Sequence, residues 1–407
     1  MKRAFDKQEG NMRVYADNAA TTYMSETSMK VMVDCLKNAN GNPNSLHSEG
    51  QAAKEVLEDA RAKVAKAINA ANPNEIYFTS GGSEADNQAL ISAARGQKVK
   101  GKNHLITMSI EHDAILNTMK KLEKEGFDVT ILDPQPDGII DIKDIENAIR
   151  PDTALVSIMF ANNEIGSIQP IAEIGKMCHE KGVLFHTDAV QAVAHLPIDV
   201  QAMNIDMLSM SGHKFHGPKG IGALYARKGV KLVNVICGGA QERGKRAGTS
   251  NAPAAAAMAA ALEEGVANME KDNAKTIALR DRLIEGLSDI PHSKLNGHRT
   301  KRLPGNVNYS FEGAEGESLL LALDMYGIEV SSGSACSSQS LEPSHVLMGI
   351  GLPVEAAHGS LRFSLSADNT EEEVDYIIEK VHSVVNHFRE LSPFWDELER
   401  GVREHVI

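Results

Sequence analysis

Lys214 lies in a basic segment, MLSMSGHKFHGPKG, directly after an apolar run, and its neighbours include His213, His216 and Lys219. Positive charge nearby and partial burial both favour the neutral amine, which is the form that attacks a carbonyl group to make a Schiff base. A basic surface loop would contain the same residues. The two histidines also suggest a zinc site, but no third ligand type is near, and only the distant Cys237 keeps that alternative open.

Cys336 is surrounded by serine and glycine in the segment VSSGSACSSQSLEPSHVL. Structural cysteines usually lie among hydrophobic side chains, so this composition favours an exposed and reactive thiol. Cys35 and Cys178 occur in ordinary helical or strand-turn contexts, where core filling is the better interpretation. We therefore expect Cys336 to be the reactive cysteine of the four in the chain.

Three more polar residues come directly after apolar runs that are typical of strands. Asp188 ends VLFHTD, where desolvation would penalise its carboxylate unless a cation lies close by. A helix cap is the alternative for this residue. His112 in SIEHDA and Asn163 in FANNEIG have the same placement, and either one could instead be a structural residue with satisfied hydrogen bonds.

Two glycine-containing segments are candidates for binding an anion. The strand-like EIYFTS is followed by Gly81, Gly82 and Ser83 and then by a helical pattern, so free N–H groups at the helix start would favour a phosphate. An ordinary Gly/Ser helix cap would look the same. The second segment, GGAQERGKRAGTSN, combines glycines and basic residues with Thr249, although solvated basic loops are common.

The elements that must position these residues follow from the hydrophobic pattern. Between about residues 75 and 228, seven short apolar runs alternate with amphipathic stretches, which predicts a mainly parallel sheet between helices. These runs are EIYFTS, HLITMS, DVTILD, ALVSIMFA, VLFHTD, MLSMS and IGALYA. In such a sheet, ligands bind beyond the carboxyl ends of the strands, where most of the candidate residues lie.

The remainder of the chain predicts a second domain. Residues 251 to about 290 have the composition and spacing of a long helix, and strand-like pieces then mix with helices from about residue 294. We therefore predict a large domain over residues 21–265. Residues 1–20 and 266–407 would form a smaller α+β domain that carries the Cys336 segment.

Composition excludes several classes of protein. The 407 residues are 42% hydrophobic, enough for large cores, and the net charge of −13 disfavours direct binding of nucleic acid. No stretch approaches the roughly 20 apolar residues that cross a bilayer. Four scattered cysteines suggest a reducing compartment, so we expect a cytoplasmic protein without a membrane partner.

Eight segments stand out by their order and spacing along the chain. They are DNAATT at 17–22, GNPNSLH at 41–47, TSGGSEADN at 79–87, NNEIGSIQP at 162–170, TDAVQA at 187–192, SGHKFHGPKGIGALY at 211–225, ERGKRAGT at 242–249 and SSGSACSSQSLEPSHVL at 331–347. Together they resemble the cysteine desulfurase family, in the branch that supplies sulfur for iron–sulfur clusters and nitrogenase. The resemblance implies the type I fold of pyridoxal-phosphate-dependent transferases.

The resemblance also implies roles around the cofactor, pyridoxal 5′-phosphate. Lys214 would bind it covalently, and Asp188 would pair with its pyridine nitrogen and keep the ring protonated. His112 would stack on the ring and move protons. Asn163 and Gln191 would contact the ring or its 3-oxygen, and Asn163 would also contact the substrate.

The phosphate group and the substrate would have their own residues. By the same resemblance, the phosphate would be bound by Gly82, Ser83, Ser211, His213 and Thr249, the last of these coming from the other subunit of a homodimer.

Arg362 in SLRFSL would bind the carboxylate of the substrate, L-cysteine, through a bidentate pair. Cys336 would take up the sulfur as a persulfide, leave L-alanine and deliver the sulfur to an acceptor such as an iron–sulfur scaffold protein. Two alternatives remain. A selenocysteine lyase would need no acceptor thiol, and a non-catalytic sulfur-transfer scaffold would be expected to lack Lys214 or Cys336.

Overall fold

The computed structural model describes residues 12–332 and 343–407. Cys336 therefore lies outside the described residues. The strands are β1 (Val14–Tyr15), β2 (Ile76–Thr79), β3 (His104–Met108), β4 (Asp128–Leu132), β5 (Thr153–Ser157), β6 (Leu184–Asp188), β7 (Met207–Ser211), β8 (Gly222–Ala226), β9 (Ser293–Leu295), β10 (Asn306–Phe311), β11 (Ile328–Glu329), β12 (Ser331–Ser332) and β13 (Ser360–Ser364).

The helices differ widely in length, and α7 is a single irregular turn. They are α1 (Glu26–Asn38), α2 (Ser48–Ala67), α3 (Gly82–Lys98), α4 (Asp113–Lys124), α5 (Ile142–Ala148), α6 (Ile171–Glu180), α7 (Gln241–Gly244), α8 (Ala252–Ser288), α9 (Gly316–Met325), α10 (His345–Gly349), α11 (Val354–His358), α12 (Glu371–Leu391) and α13 (Pro393–Glu399). Of these helices, none is both long enough and apolar enough to cross a membrane.

The central sheet has seven strands in the order β2-β8-β7-β6-β5-β3-β4, and each strand overlaps one of the seven predicted runs. The predicted α/β fold with a mainly parallel sheet is confirmed. Only β8 runs antiparallel to its neighbours, β2 and β7. The connection from β7 to β8 explains this reversal, because it contains a 3-10 turn at Gly212–Lys214 and no crossover helix.

Both faces of this sheet are buried, which is why its strands read as continuous apolar runs. On one face, α3 and α4 pack through residues such as Leu90 and Met119. On the other face, α2, α6 and the first part of α8 pack through residues such as Val64, Ile174 and Met258. The middle strands therefore lie between two helical layers, and their ends form one polar edge.

A second hydrophobic core surrounds a four-stranded antiparallel sheet with the order β12-β13-β10-β9. The later turns of α8 and helices α9 and α12 cover it. Val14 and Ala16, near the start of the described chain, also belong to this core, and β1 pairs with β11. The domain boundaries given above stay a prediction.

Candidate active site

A cavity of about 400 Å³ opens at the carboxyl ends of the central strands. Except for Thr249, every predicted site residue that the structure describes lines it. These residues are Gly82, Ser83, His112, Asn163, Asp188, Gln191, Ser211, His213, Lys214 and Arg362. The cavity thus brings together predicted site residues as far apart in sequence as Gly82 and Arg362.

Lys214 is the last residue of the 3-10 turn that follows β7. Its Nζ donates hydrogen bonds to the carbonyl oxygens of Ala19 and Ala20 at 2.6 and 2.8 Å. The amide of Gln191 also donates to the Ala19 carbonyl, at 2.9 Å. The N-terminal turn around residues 17–22 therefore fixes where the amine enters the cavity.

Asp188 is the last residue of β6 and is 6% exposed. Its Oδ1 accepts a hydrogen bond from the backbone N–H of Val190 at 2.9 Å. Burial raises the pKa of Asp188, while the nearby His112 and Lys214 act in the opposite direction. A cation placed against this carboxylate would compensate its desolvation, which is what a protonated ring nitrogen supplies.

The two predicted histidines have different environments. His112 precedes α4 as its N-cap, and its Nδ1 accepts from the backbone N–H of Ala114 at 3.1 Å, so Nε2 carries the proton of the neutral ring. His213 contacts the Thr21 hydroxyl through Nδ1 at 3.1 Å. Burial, followed by the charge of Lys214, lowers the pKa of His213 to about 4. His213 is therefore a neutral hydrogen-bonding group at neutral pH.

Helix α3 begins at Gly82, and no side chain caps its first turn. A Cβ atom at Gly82 would lie 2.6 Å from Cγ2 of Val190, so only glycine fits at this approach. Uncapped N–H groups at a helix start suit a phosphate group. Ser83 and Ser211 line the same end of the cavity. Thr249 is exposed and lies outside this lining, and its predicted role across a dimer stays a prediction.

Arg362 lies on β13 in the second sheet and is 2% exposed. Its Nη1 donates to the carbonyl oxygen of Asn163 at 3.1 Å, and its Nη2 donates to Oδ1 of Asp17 at 2.9 Å. The guanidinium is thus fixed in orientation by two elements of the chain. A fixed planar fork suits a carboxylate ligand.

The residues present fit pyridoxal phosphate. The cavity is lined by the uncapped start of α3, which suits a phosphate, and by the buried carboxylate of Asp188, which suits a ring nitrogen. The Lys214 amine lies within the same cavity. The volume is also within the ordinary range of cofactor pockets.

Two acidic residues of the site were not predicted from the sequence. Asp86 lines the cavity and is 1% exposed, and Asp17 holds Arg362. Both occur in segments quoted above, TSGGSEADN and DNAATT, but their local sequence resembles that of ordinary surface acids. In the structure, Asp86 belongs to the nearly continuous buried stretch of α3 between residues 85 and 94.

The zinc alternative is not supported within the described residues. His216 contacts the carbonyl oxygen of Tyr23 through Nδ1 at 2.9 Å, and His213 contacts Thr21. Across residues 12–332 and 343–407, neither histidine belongs to a group of three possible metal ligands, and neither does Cys237.

Known proteins are similar to this chain over nearly its whole length. The class-V aminotransferase family model matches residues 14–377. The cysteine desulfurase IscS of Clostridium botulinum is 54% identical over 397 residues, covering 97% of this chain and 100% of that protein.

Solved structures agree. A structure described as a NifS-like protein matches with a TM-score of 0.86 and 38% identity, covering 92% of this chain and 100% of that one. A structure of SspA in complex with cysteine matches with a TM-score of 0.76 and 38% identity, covering 88% of this chain and 100% of that one.

Proposed function

The chain belongs to the class-V aminotransferase family and is a pyridoxal-phosphate-dependent cysteine desulfurase, and we propose that it passes sulfur from L-cysteine through Cys336 to an acceptor protein. The observation that carries this proposal is the joint placement of Lys214, Asp188 and Arg362 around one cavity. They supply an amine, a buried anion and a fixed guanidinium. If the cofactor and an amino acid were bound between these groups, Asp188 would pair with the protonated ring nitrogen and Arg362 with the carboxylate of the amino acid.

Lys214 holds the cofactor in this proposal, and its amine is already directed into the cavity by the carbonyl groups of Ala19 and Ala20. When bound, pyridoxal phosphate withdraws electrons from the substrate. Asp188 keeps its negative charge beside the ring nitrogen. His112, with its proton on Nε2, can give or take a proton on the face of the cavity that it lines.

Arg362 binds the α-carboxylate of cysteine, because its guanidinium is buried and has its orientation fixed from two sides. Cys336 then attacks the sulfur of the substrate as a thiolate. An S–S bond forms, the carbon–sulfur bond of the substrate breaks, and the products are a persulfide on Cys336 and L-alanine. Cys336 lies outside the described residues, and a serine could not replace it because the product contains an S–S bond.

The partners follow from the same proposal. A homodimer is supported by the exposed position of Thr249 and by an apolar stripe on α1, where Met29, Val33 and Leu36 are 46%, 42% and 52% exposed. The persulfide is delivered to a sulfur acceptor such as an iron–sulfur scaffold protein. We also propose that the protein is cytoplasmic.

The test compares Cys336→Ser with Cys237→Ser, which alters the one exposed thiol among the three cysteines that the structure describes. Both variants should be yellow and should take up pyridoxal phosphate like the wild-type protein. Only Cys336→Ser should fail to release alanine from L-cysteine and fail to carry persulfide, measured by mass spectrometry after alkylation. Persulfide formation by Cys336→Ser at the wild-type level would place the acceptor thiol elsewhere.

A further inference from the structure

Asp86 of α3 is a second buried carboxyl group in the wall of the cavity that contains Asp188. The residue is 1% exposed. Its Oδ1 has no hydrogen-bond partner among the residues that the structure describes and lies 3.7 Å from Nε2 of His186. The hydroxyl group of Ser209 is a further polar neighbour of Asp86. Among the described residues, Asp86 therefore lacks the hydrogen bonds that an ionised carboxylate would need.

A line of buried polar groups continues from Asp86 across three neighbouring strands. Nε2 of His186 on β6 lies 3.0 Å from the hydroxyl of Ser209 on β7, and its Nδ1 lies 2.9 Å from the hydroxyl of Ser157 on β5. Burial lowers the pKa of His186 to about 3, so the ring is neutral and carries a single N–H. His186 therefore supplies no positive charge to Asp86.

The hydrogen positions along this line can be ordered in two ways. In one order, the Asp86 O–H donates to Ser209, the Ser209 O–H donates to His186, and the His186 Nδ1–H donates to Ser157. In the reverse order, the Ser209 O–H donates to a carboxyl oxygen of Asp86, which both the ionised and the neutral acid can accept. Only the first order requires the proton on Asp86, so the surrounding charges decide whether Asp86 carries it.

The titratable groups that face Asp86 are Asp188 and His186 on β6 and Glu111 after β3. Burial, together with the charges of Asp188 and Glu111, raises the pKa of Asp86 well above its usual value. Glu111 is also fully buried, with one oxygen unpartnered, and burial raises its pKa too. Like charges that share a dry site do not all ionise, so a neutral Asp86 is favoured.

We propose that Asp86 is a neutral, proton-bearing positioning residue that leaves Asp188 as the anion facing the ring nitrogen of the cofactor. This inference rests on the proposed role of Asp188. Through a hydrogen bond to the neighbouring Ser209, the neutral Asp86 would connect α3, which offers its start to the phosphate, with β7, which leads into the Lys214 turn. A neutral Asp86 thus positions the start of α3 relative to the Lys214 turn without adding a second negative charge to the site.

The experiment compares Asp86→Asn, which has the shape of the neutral acid, with Asp86→Leu, which cannot hydrogen bond. Asp188→Asn is the reference for loss of the ring anion. Thermal unfolding of the full chain without cofactor is measured between about pH 5 and about pH 8. Cofactor affinity is measured for all three variants by titration of the absorbance of pyridoxal phosphate.

The sign of the stability effect follows from the raised pKa. Above the pKa of the unfolded chain, the folded wild-type protein binds one proton more than the unfolded chain, so its stability falls as the pH rises towards the pKa of folded Asp86. Asn has no such titration. The difference in Tm between Asp86→Asn and wild type should therefore grow in favour of the variant from about pH 5 to about pH 8.

The cofactor readout separates a positioning role from a purely structural one. Asp86→Asn should bind pyridoxal phosphate within about threefold of the wild-type affinity, and Asp86→Leu should bind it more than about tenfold more weakly. A Tm difference between Asp86→Asn and wild type that stays constant or falls as the pH rises would contradict a neutral Asp86. If Asp86→Asn bound pyridoxal phosphate as weakly as Asp188→Asn, cofactor binding would depend on a negative charge at Asp86. The unfolding measurement needs no cofactor, so it remains decisive for Asp86 even if the role of Asp188 is wrong.

Discussion

Replacement of Arg362 by lysine tests the substrate-binding geometry most directly. The arginine is 2% exposed, and its two terminal nitrogens already contact Asn163 and Asp17. Each nitrogen has a second N–H, so the fork can still meet a carboxylate with two parallel bonds. A lysine at this position keeps the charge but offers a single nitrogen, for which Asp17 competes with the substrate.

The magnitude follows from the loss of one charge-assisted hydrogen bond, which contributes about 1.5–3 kcal/mol. Because each 1.4 kcal/mol is tenfold, KM for L-cysteine should rise by about 10- to 150-fold. Steady-state alanine release gives KM and kcat separately. Cysteamine, which lacks the carboxylate, serves as a competitive inhibitor, and its Ki should stay within about twofold of the wild-type value.

Asp17 supplies a cross-check for the same reasoning. Adding Asp17→Asn to Arg362→Lys removes the competing charge, and part of the lost affinity for L-cysteine should return as a coupling energy between the two sites. The reasoning fails if Arg362→Lys leaves KM unchanged. It also fails if the Ki of cysteamine rises as much as the KM of L-cysteine, because the effect would then not concern the carboxylate.

Two further predictions concern the cofactor lysine and a buried ion pair. Borohydride should no longer join pyridoxal phosphate covalently to Lys214→Ala, and intact mass measures this. The control Lys219→Ala, which alters an exposed lysine, should be labelled fully. Labelling of both variants would place the covalent link elsewhere. Glu242→Gln should lower the free energy of unfolding in urea by about 3–5 kcal/mol, because it breaks a bidentate pair with the buried Arg61 at 2.7 and 3.0 Å. Glu58→Gln, which alters a 50% exposed partner of the same arginine, should cost less than about 1 kcal/mol, and equal losses would contradict this account.

The hydrophobic pattern was sufficient to locate the central strands. Residues such as Leu105 and Ile106 alternate between two covered faces, so every position of β3 is apolar or satisfied by hydrogen bonds. The direction of β8 could not be read in this way, because the side-chain period of a strand is the same in both directions. Only the short connection between β7 and β8, which has no crossover helix, indicates that β8 runs antiparallel to β7.

The site residues were predictable to different degrees. Asp188 and Lys214 end or follow apolar strands, so topology alone places them at one edge of the sheet. The contact of Asp17 with Arg362 joins residues 345 positions apart and belongs to no local pattern. Asp86 differs from a surface acid only through the packing of its helix against the sheet. The roles of Thr249 and Cys336 stay predictions.

The N-terminal turn at residues 17–22 explains how groups from two sheets with separate cores are held around one cavity. Its carbonyl groups accept from Lys214, which follows the central sheet, and its Asp17 accepts from Arg362, which lies on the second sheet. In the proposed function, an amino acid must fit between that amine and that guanidinium, and the same turn contacts both. The turn continues from β1, which pairs with β11, and the backbone around it bonds to Ser364 at the end of β13. We therefore propose that this short segment of backbone sets the spacing between the two groups, while the sheets supply the charges.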